Sequence, residues 1–551
     1  MTDQPRVRRN DWGTINVPEL GTWDPTLSVS VVVPAYDASR VLPIALAGLA
    51  AQTYPSHLLE VVVVDDGPGV LELPEVRPER TRIVRVEQGW GRANACHVGA
   101  TAAEGDVLHW LDVDMLVERH HVEAQLRWHH ALDYAVVLGH KLFVDPAPVF
   151  GVGPEEVSRA VAADLVPAYF KDQQPERHWV EDVYERTDDL RQAGPNALRT
   201  HVGATASLHR ALYVESGGMD TELRLGEDIS LGHRLAEVGA VFVPEREARS
   251  WHLGPSHVMG RVDEVTAYND PFLADRVPNL RGKRRPGRTY AVPYLEVILD
   301  VREQPHASVT AVVDAVLNSG LSDLVVTLLG DWDKLTDERV RPLDDPDLAT
   351  RIVQATYRSE PRVRMLRTMP PGQPEATFRL HLPNARWVPL RRTLADLVLH
   401  VEKTHDGLRL VRMPDGSTAR LERTAAFARA SRVATLGEDL DAVVDEVYGV
   451  SSTDAEQLGF LDVAEAKRLL VARTGGPPLD HDEAWAYVEK AHGERKHLRR
   501  RDPEPVPEPA PVPEAEPAAP VPEPEPQPDA APEAEPEPRR GRRSWWRRGS
   551  N

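Results

Sequence analysis

Apolar and polar positions fall in blocks of two kinds along the first third of the chain. SVSVVVPAY (28–36) is an apolar, β-branched run ended by Pro34, and VLPIALAGLAAQ (41–52) has helical spacing. EVVVVDDG (60–67) predicts a second buried strand, stopped by two carboxylates and Gly67. TRIVRVE (81–87) predicts a third strand, NACHVGATAAEGD (94–106) a helix closed by Gly105, and VLHWLDVDM (107–115) a fourth strand. Continuous apolar strands alternating with helices predict an α/β fold whose mostly parallel sheet is covered on both faces. Ligands of such sheets bind beyond the carboxyl ends of the strands. Tyr36, Asp37, Asp65, Asp66, Asp112 and Asp114 all fall at those ends.

A similar order starts again further on. YLEVILDV (294–301) predicts a strand, ASVTAVVDAVLNSGL (307–321) a helix, and DLVVTLLGDW (323–332) a strand, with RVRMLR (362–367) and ATFRLHLPNARWV (376–388) following as strands. This predicts a weak internal repeat. At the end of the fourth strand, LDVD in the first copy faces HLPN (381–384) in the second, which has lost the carboxylates. The pattern divides the chain into an irregular extension (1–27), a first α/β domain (28–269), a basic Pro/Gly-rich linker (270–293), and a second domain (294–500) that reads mostly as helices from 423 onward. Residues 502–538 contain 15 Pro and 11 acidic residues, a composition that builds no core and predicts a disordered segment across 501–538. The tail 539–551 carries six Arg around two adjacent Trp.

Charge and cysteine content narrow the function classes. With 65 basic and 86 acidic residues the formal net charge is −21, which argues against nucleic acid as the main partner. The single cysteine, Cys96, allows no internal disulfide and points to a reducing, cytoplasmic compartment. The N-terminus has no apolar core of a signal peptide, and no run of 18 apolar residues predicts a membrane-spanning helix. The tail from Arg539 to Asn551 is the one feature that suits peripheral contact with an inner membrane face, since Arg binds anionic headgroups and Trp favours the interface. A tail solvated or folded back on the acidic spacer is the equally weighted alternative.

Four short motifs can carry chemistry. In Asp112-Val113-Asp114, alternate residues of an extended chain point the same way, and paired carboxylates suit Mg²⁺ or Mn²⁺ with substrate phosphates. A solvated loop is the ordinary reading of a bare Asp-x-Asp, and the strands upstream favour the metal. Asp65-Asp66-Gly67 either caps a turn or accepts hydrogen bonds from a nucleoside, beside the flat face of Tyr36. Glu227-Asp228 opens a helix over 229–239, where the helix dipole keeps a carboxylate ionised and available as a base or as a plain cap. His252, in WHLG, is a third metal ligand or a structural histidine. The pairs His120-His121 and His129-His130 have no matching acids and read as helix-surface residues.

Taken together, SVVVPAYDAS, AQTYP, EVVVVDDG, GWGRANACHVGATAAEGDVLHWLDVDM, GGMDTELRLGEDISLGHRL and WHLG resemble the family 2 glycosyltransferases with a GT-A fold, over about 28–260. The resemblance implies an inverting, metal-dependent enzyme that moves a sugar from a nucleotide-diphosphate sugar to a hydroxyl acceptor, in cell-envelope glycan or glycoconjugate synthesis. It implies that Pro34, Ala35, Tyr36 and Asp66 hold the nucleoside, with Asp37, Asp65, Gly91 and Arg92 completing the nucleotide-sugar site. Asp112 then contacts ribose or metal, Asp114 and His252 hold the metal, and Asp228 of the Glu227-Asp228 pair is the general base. Two departures stand out. Ala95-Cys96-His97 replaces the family's usual Ala-Arg-Asn, so the diphosphate-side Arg is missing and Arg92 is the substitute at hand. The QxxRW signature of processive membrane synthases is absent after His252. The alternatives are a non-catalytic sugar-nucleotide-binding or scaffold protein, and a nucleotidyltransferase, which normally has a Gly-rich signature after the first strand that PAYDASR lacks.

Overall fold

The computed structural model describes residues 4–256, 260–338, 340–372, 374–471, 486–490 and 492–493. The acidic spacer and the Arg/Trp tail lie outside the described residues. Strands of the first half are β1 (Val29–Ala35), β2 (Leu59–Asp65), β3 (Arg80–Arg85), β4 (Val107–Leu111), β5 (Met115–Val117), β6 (Ala135–Val144), β7 (Glu176–Arg177), β8 (Thr205–His209) and β9 (Val241–Leu253). They form one sheet in the order β3-β2-β1-β4-β8-β6-β9-β5, with β7 on β6. β1, β2, β3, β4, β6 and β9 run one way; β5, β7 and β8 run the other. Every residue of β2 and β4 is buried, which is why both read as unbroken apolar runs.

The second half has β10 (Leu295–Asp300), β11 (Leu324–Leu329), β12 (Val363–Leu366), β13 (Phe378–Leu382), β14 (Trp387–Pro389), β15 (Leu408–Arg412), β16 (Thr418–Arg423), β17 (Val450–Asp454) and β18 (Phe460–Asp462). Its main sheet runs β12-β11-β10-β13-β16-β15-β17, and β14 pairs with β18. Strand for strand this is the order β3-β2-β1-β4-β8-β6-β9, with antiparallel and parallel neighbours in the same places. The β14–β18 pair repeats the antiparallel β5–β9 pair. The described region beyond 423 is mostly helical, as its pattern predicts, and the short strands β17 and β18 within it complete the repeat.

Both halves belong to one compact unit, Met1–Arg468. One apolar cluster runs from Val64, Trp110, Tyr134 and Phe242 into Leu408, Ala426, Ala430, Val443 and Val447. The irregular N-terminal segment seals that seam. Fully buried Arg429 donates to the carbonyls of Gly239, Ala240, Val7 and Arg9, and Arg6 pairs with Glu438 and Glu446. The basic stretch 270–293 is docked: a helix spans Val262–Arg276, and Arg281 and buried Arg284 both pair with Asp323 at the start of β11. Arg281 also lies over Tyr294 and Arg284 over Tyr290, so these two cations face partners, while Arg285 and Arg288 are exposed.

The helix His121–Ala131 departs from its reading as a polar surface. His121 and His129 are buried, meeting Thr205 at 3.0 Å and Ser207 at 2.7 Å. Hydroxyls on β8 give the imidazoles partners, which is what makes a polar helix face compatible with burial.

Candidate active site

The carboxyl ends of β1 and β2 form one wall of a cleft. Pro34 and Ala35 close β1; Tyr36 beyond them is 68% exposed, and Asp37 takes a left-handed turn at φ 49°. The two adjacent acids behave differently. Asp65 is buried and bound within the fold, by Arg85 at 2.5 Å and the Gly67 amide at 3.0 Å. Asp66 accepts the Gly91 amide at 2.7 Å and so fixes the loop before the helix Arg92–Ala102. Gly91 sits at φ 92°, a conformation a side chain would strain. Trp90 beside it is 62% exposed, with the Arg224 guanidinium 4.5 Å from its ring centre.

Arg92 opens the helix and gathers three carboxylates: Asp112 at 2.9 Å, Glu227 at 2.9 Å and Asp228 at 2.8 Å. Asp112 follows β4, and Glu227-Asp228 begin the helix Glu227–Glu237 behind Gly226 in the left-handed region. Cys96 lies one turn after Arg92 on the same helix face. Burial pushes the Glu227 carboxyl up to about 7, with repulsion from Asp228 adding to it. Burial also opposes ionisation of Asp228, but Arg92, His201 and the Gly203 amide hold it below its ordinary value. The pair thus divides into one easily protonated acid and one persistent carboxylate. Gly203 is where a Cβ would stand 2.5 Å from both Arg92 and Asp228, so only a glycine lets that backbone close over the cluster.

Asp114 and His252 meet on the other side, where β5 pairs with β9. His252 Nε2 is 3.6 Å from Asp114 Oδ1, while Nδ1 lies 2.9 Å from the Gly254 carbonyl. With Nδ1 set against that carbonyl, Nε2 is turned toward the Asp114 carboxylate. A carboxylate beside an imidazole nitrogen, with the far nitrogen anchored to a carbonyl, is a side-chain set that suits a divalent cation. Asp112, the third expected ligand, is instead turned to Arg92. No group of three or more His, Cys, Asp or Glu side chains among the described residues forms a ready metal cage. Asp114 and His252 are the pair that would hold a divalent cation.

Lys141, His178, His201 and Gly203 were not anticipated. Lys141 is buried on β6, and its only sequence signal is a single cation inside the apolar run AVVLGHKLFV. His178 has no local pattern at all; it reaches the cleft because β7 pairs with β6 and sets its ring against Phe143, whose other neighbour is His252.

Residues 30–194 match the family model described as glycosyl transferase family 2. Over that stretch the chain is similar to the family 2 glycosyl transferases. It is 23% identical over 361 residues to chondroitin synthase of Escherichia coli, covering 61% of this chain and 50% of that protein. It is 30% identical over 243 residues to validoxylamine A glucosyltransferase of Streptomyces hygroscopicus subsp. jinggangensis, covering 42% and 56%. The chain thus spans about half the length of the curated relatives it matches. Among solved structures, mannosyltransferase PcManGT from Pyrobaculum calidifontis in complex with GDP-Man and Mn2+ is 17% identical, with 49% of this chain and 69% of that one covered and a TM-score of 0.28. No helix of the described residues is long and apolar enough to cross a membrane.

Proposed function

We propose that the first half transfers a sugar from a nucleotide-diphosphate sugar to a hydroxyl acceptor with inversion, using a divalent metal. The observation that carries this reading is the clasp of Asp228 by Arg92, which with Asp112 links it to the strand end that carries the Asp114–His252 pair. The family match and the two glycosyltransferase-related names support it.

Tyr36 and Asp66 lie where a nucleoside would rest, one presenting a ring face and the other a carboxylate. Asp114 and His252 would hold Mn²⁺ or Mg²⁺, which supplies positive charge to the departing diphosphate. Asp228 accepts the proton of the acceptor hydroxyl as its oxygen attacks the anomeric carbon. The opposite bond, from that carbon to the diphosphate oxygen, breaks with its electron pair. A single displacement from the far face inverts the centre. Arg92 orients Asp228 and lowers its basicity, so the base stays charged until the hydroxyl is in place. Asp112 is fixed by the same guanidinium and faces the donor.

The test is a panel of nucleotide sugars screened for nucleoside diphosphate release with and without Mn²⁺, followed by NMR of the product's anomeric proton. Release that is metal-stimulated and gives the opposite anomer supports the reading. Full activity in excess chelator, or retention of configuration, removes it.

A further inference from the structure

Arg92 was the cation at hand for the diphosphate, yet its guanidinium already binds Asp112, Glu227 and Asp228. The leaving group therefore needs another positive charge from the protein. Two basic side chains of the first half, Arg127 and Lys141, are almost fully buried. Arg127 is matched by Glu245 and Glu247. Lys141 is 3% exposed and makes no ion pair within the described residues. A buried ammonium without a carboxylate partner is costly, and a fold keeps one where a ligand supplies the counter-charge.

Strand register says where it points. Lys141 pairs with Ser250 and Phe143 with His252 across β6 and β9. Alternate residues of a strand share a face, so Lys141 lies on the face that carries Phe143 and the metal-side His252. His178 stacks on Phe143 from that face, and its Nδ1 is buried with no partner within the described residues. Lys141 feels the charges of Asp112, Glu181 and Asp228, which favour its ammonium, and that of Arg92, which opposes it.

The geometry points to Lys141 as a catalytic residue that contacts the diphosphate of the donor and stabilises it as it leaves, with His178 beside it as a hydrogen-bonding neighbour. This rests on the transferase reading above. When the anomeric C–O bond breaks, its electron pair goes to the terminal diphosphate oxygen, and the acceptor proton goes to Asp228. Lys141 keeps its own proton throughout and supplies charge alone. Burial brings its ammonium down to about 8, so it remains mostly protonated at neutral pH.

Calorimetry on the full chain in saturating Mn²⁺, with the mono- and diphosphates of uridine, guanosine and thymidine, tests this. For the base that binds, Lys141→Met should weaken the diphosphate by about 10–100-fold and leave the monophosphate within about 2-fold. Lys141→Arg should recover part of the diphosphate affinity. Equal weakening of both ligands, or no change in either with unaltered melting, overturns the proposal. If Lys141→Met does not fold, the same ratio is read in Lys141→Arg, where equal effects on both ligands overturn it. A wild-type chain that binds none of the diphosphates would bring down the transferase reading and this one together, whereas selective failure in the variant touches Lys141 alone.

Discussion

The two halves share a sheet order and differ at the same sheet end. In the first, β1 runs into Tyr36 and Asp37; in the second, β10 runs into Arg302 and Glu303, and Glu303 repeats the left-handed turn of Asp37 at φ 59°. Asp331 stands where Asp66 does, and Pro383 and Ala385 stand where Asp112 and Asp114 do. Arg302 pairs with Asp300 at 2.7 Å and Asp331 at 3.3 Å, and Arg367 pairs with Asp333 at 2.5 Å. The acids left in the second copy are thus neutralised by neighbours on the same sheet end. In the first copy Asp112 and Asp228 share one guanidinium, and Asp114 faces the His252 imidazole. Backbone turns survive because the sheet needs them, while side chains at strand ends are free to change once no ligand depends on them.

Deleting the second half should have the largest effect. A chain ending at residue 293 would expose the faces that Leu408, Ala426, Val443 and Arg429 cover. We expect loss of cooperative unfolding by circular dichroism and calorimetry; a sharp transition in the truncated chain would show that the halves are independent. Next comes Asp228→Asn, which keeps shape and removes basicity. It should lower kcat by about 10²–10⁴-fold with nucleotide affinity within a few-fold. Equal losses in both would make Asp228 a helix cap, the role its counterparts could have in any repeat.

The seam between the halves should be pH-sensitive. Burial pushes Glu237 up to about 8, Thr377 is its hydrogen-bond partner across the seam, and its Oε2 has no partner within the described residues. The folded state keeps this proton while the unfolded chain releases it near 4.5. Its contribution is fully present below about 4.5 and is lost as pH rises to about 8. Glu237→Gln should flatten that decline in thermal midpoint between pH 5 and 9; an unchanged slope would mean that another group sets it. The smallest effect is expected from Arg302→Ala, which breaks part-exposed ion pairs in the second copy. Stability should change by no more than about 1 kcal/mol and donor turnover not at all. A loss of turnover would show that the second sheet end communicates with the first.

Much of this organisation was written locally. Strands buried on both faces must be apolar throughout, so β1, β2, β4, β10 and β11 are legible as runs, and the acids that stop them mark the sheet end. The repeat was legible for the same reason, down to the loss of carboxylates in HLPN. Local pattern was silent where neighbours come from afar. His121 and His129 looked like surface residues because the hydroxyls that satisfy them belong to β8. The stretch 270–293 looked like a linker because Asp323 and the tyrosines that bind its arginines lie elsewhere or face inward. Composition and periodicity determined the α/β class, the repeat and the position of the acids along the chain. Only the tertiary structure decided that Arg92 clasps Asp228 across 136 residues, that Asp112 turns to it instead of to His252, and that buried Lys141 makes no ion pair within the described residues. The physical reason is that charge pairing depends on distance in space, and strand crossovers set that distance independently of spacing along the chain.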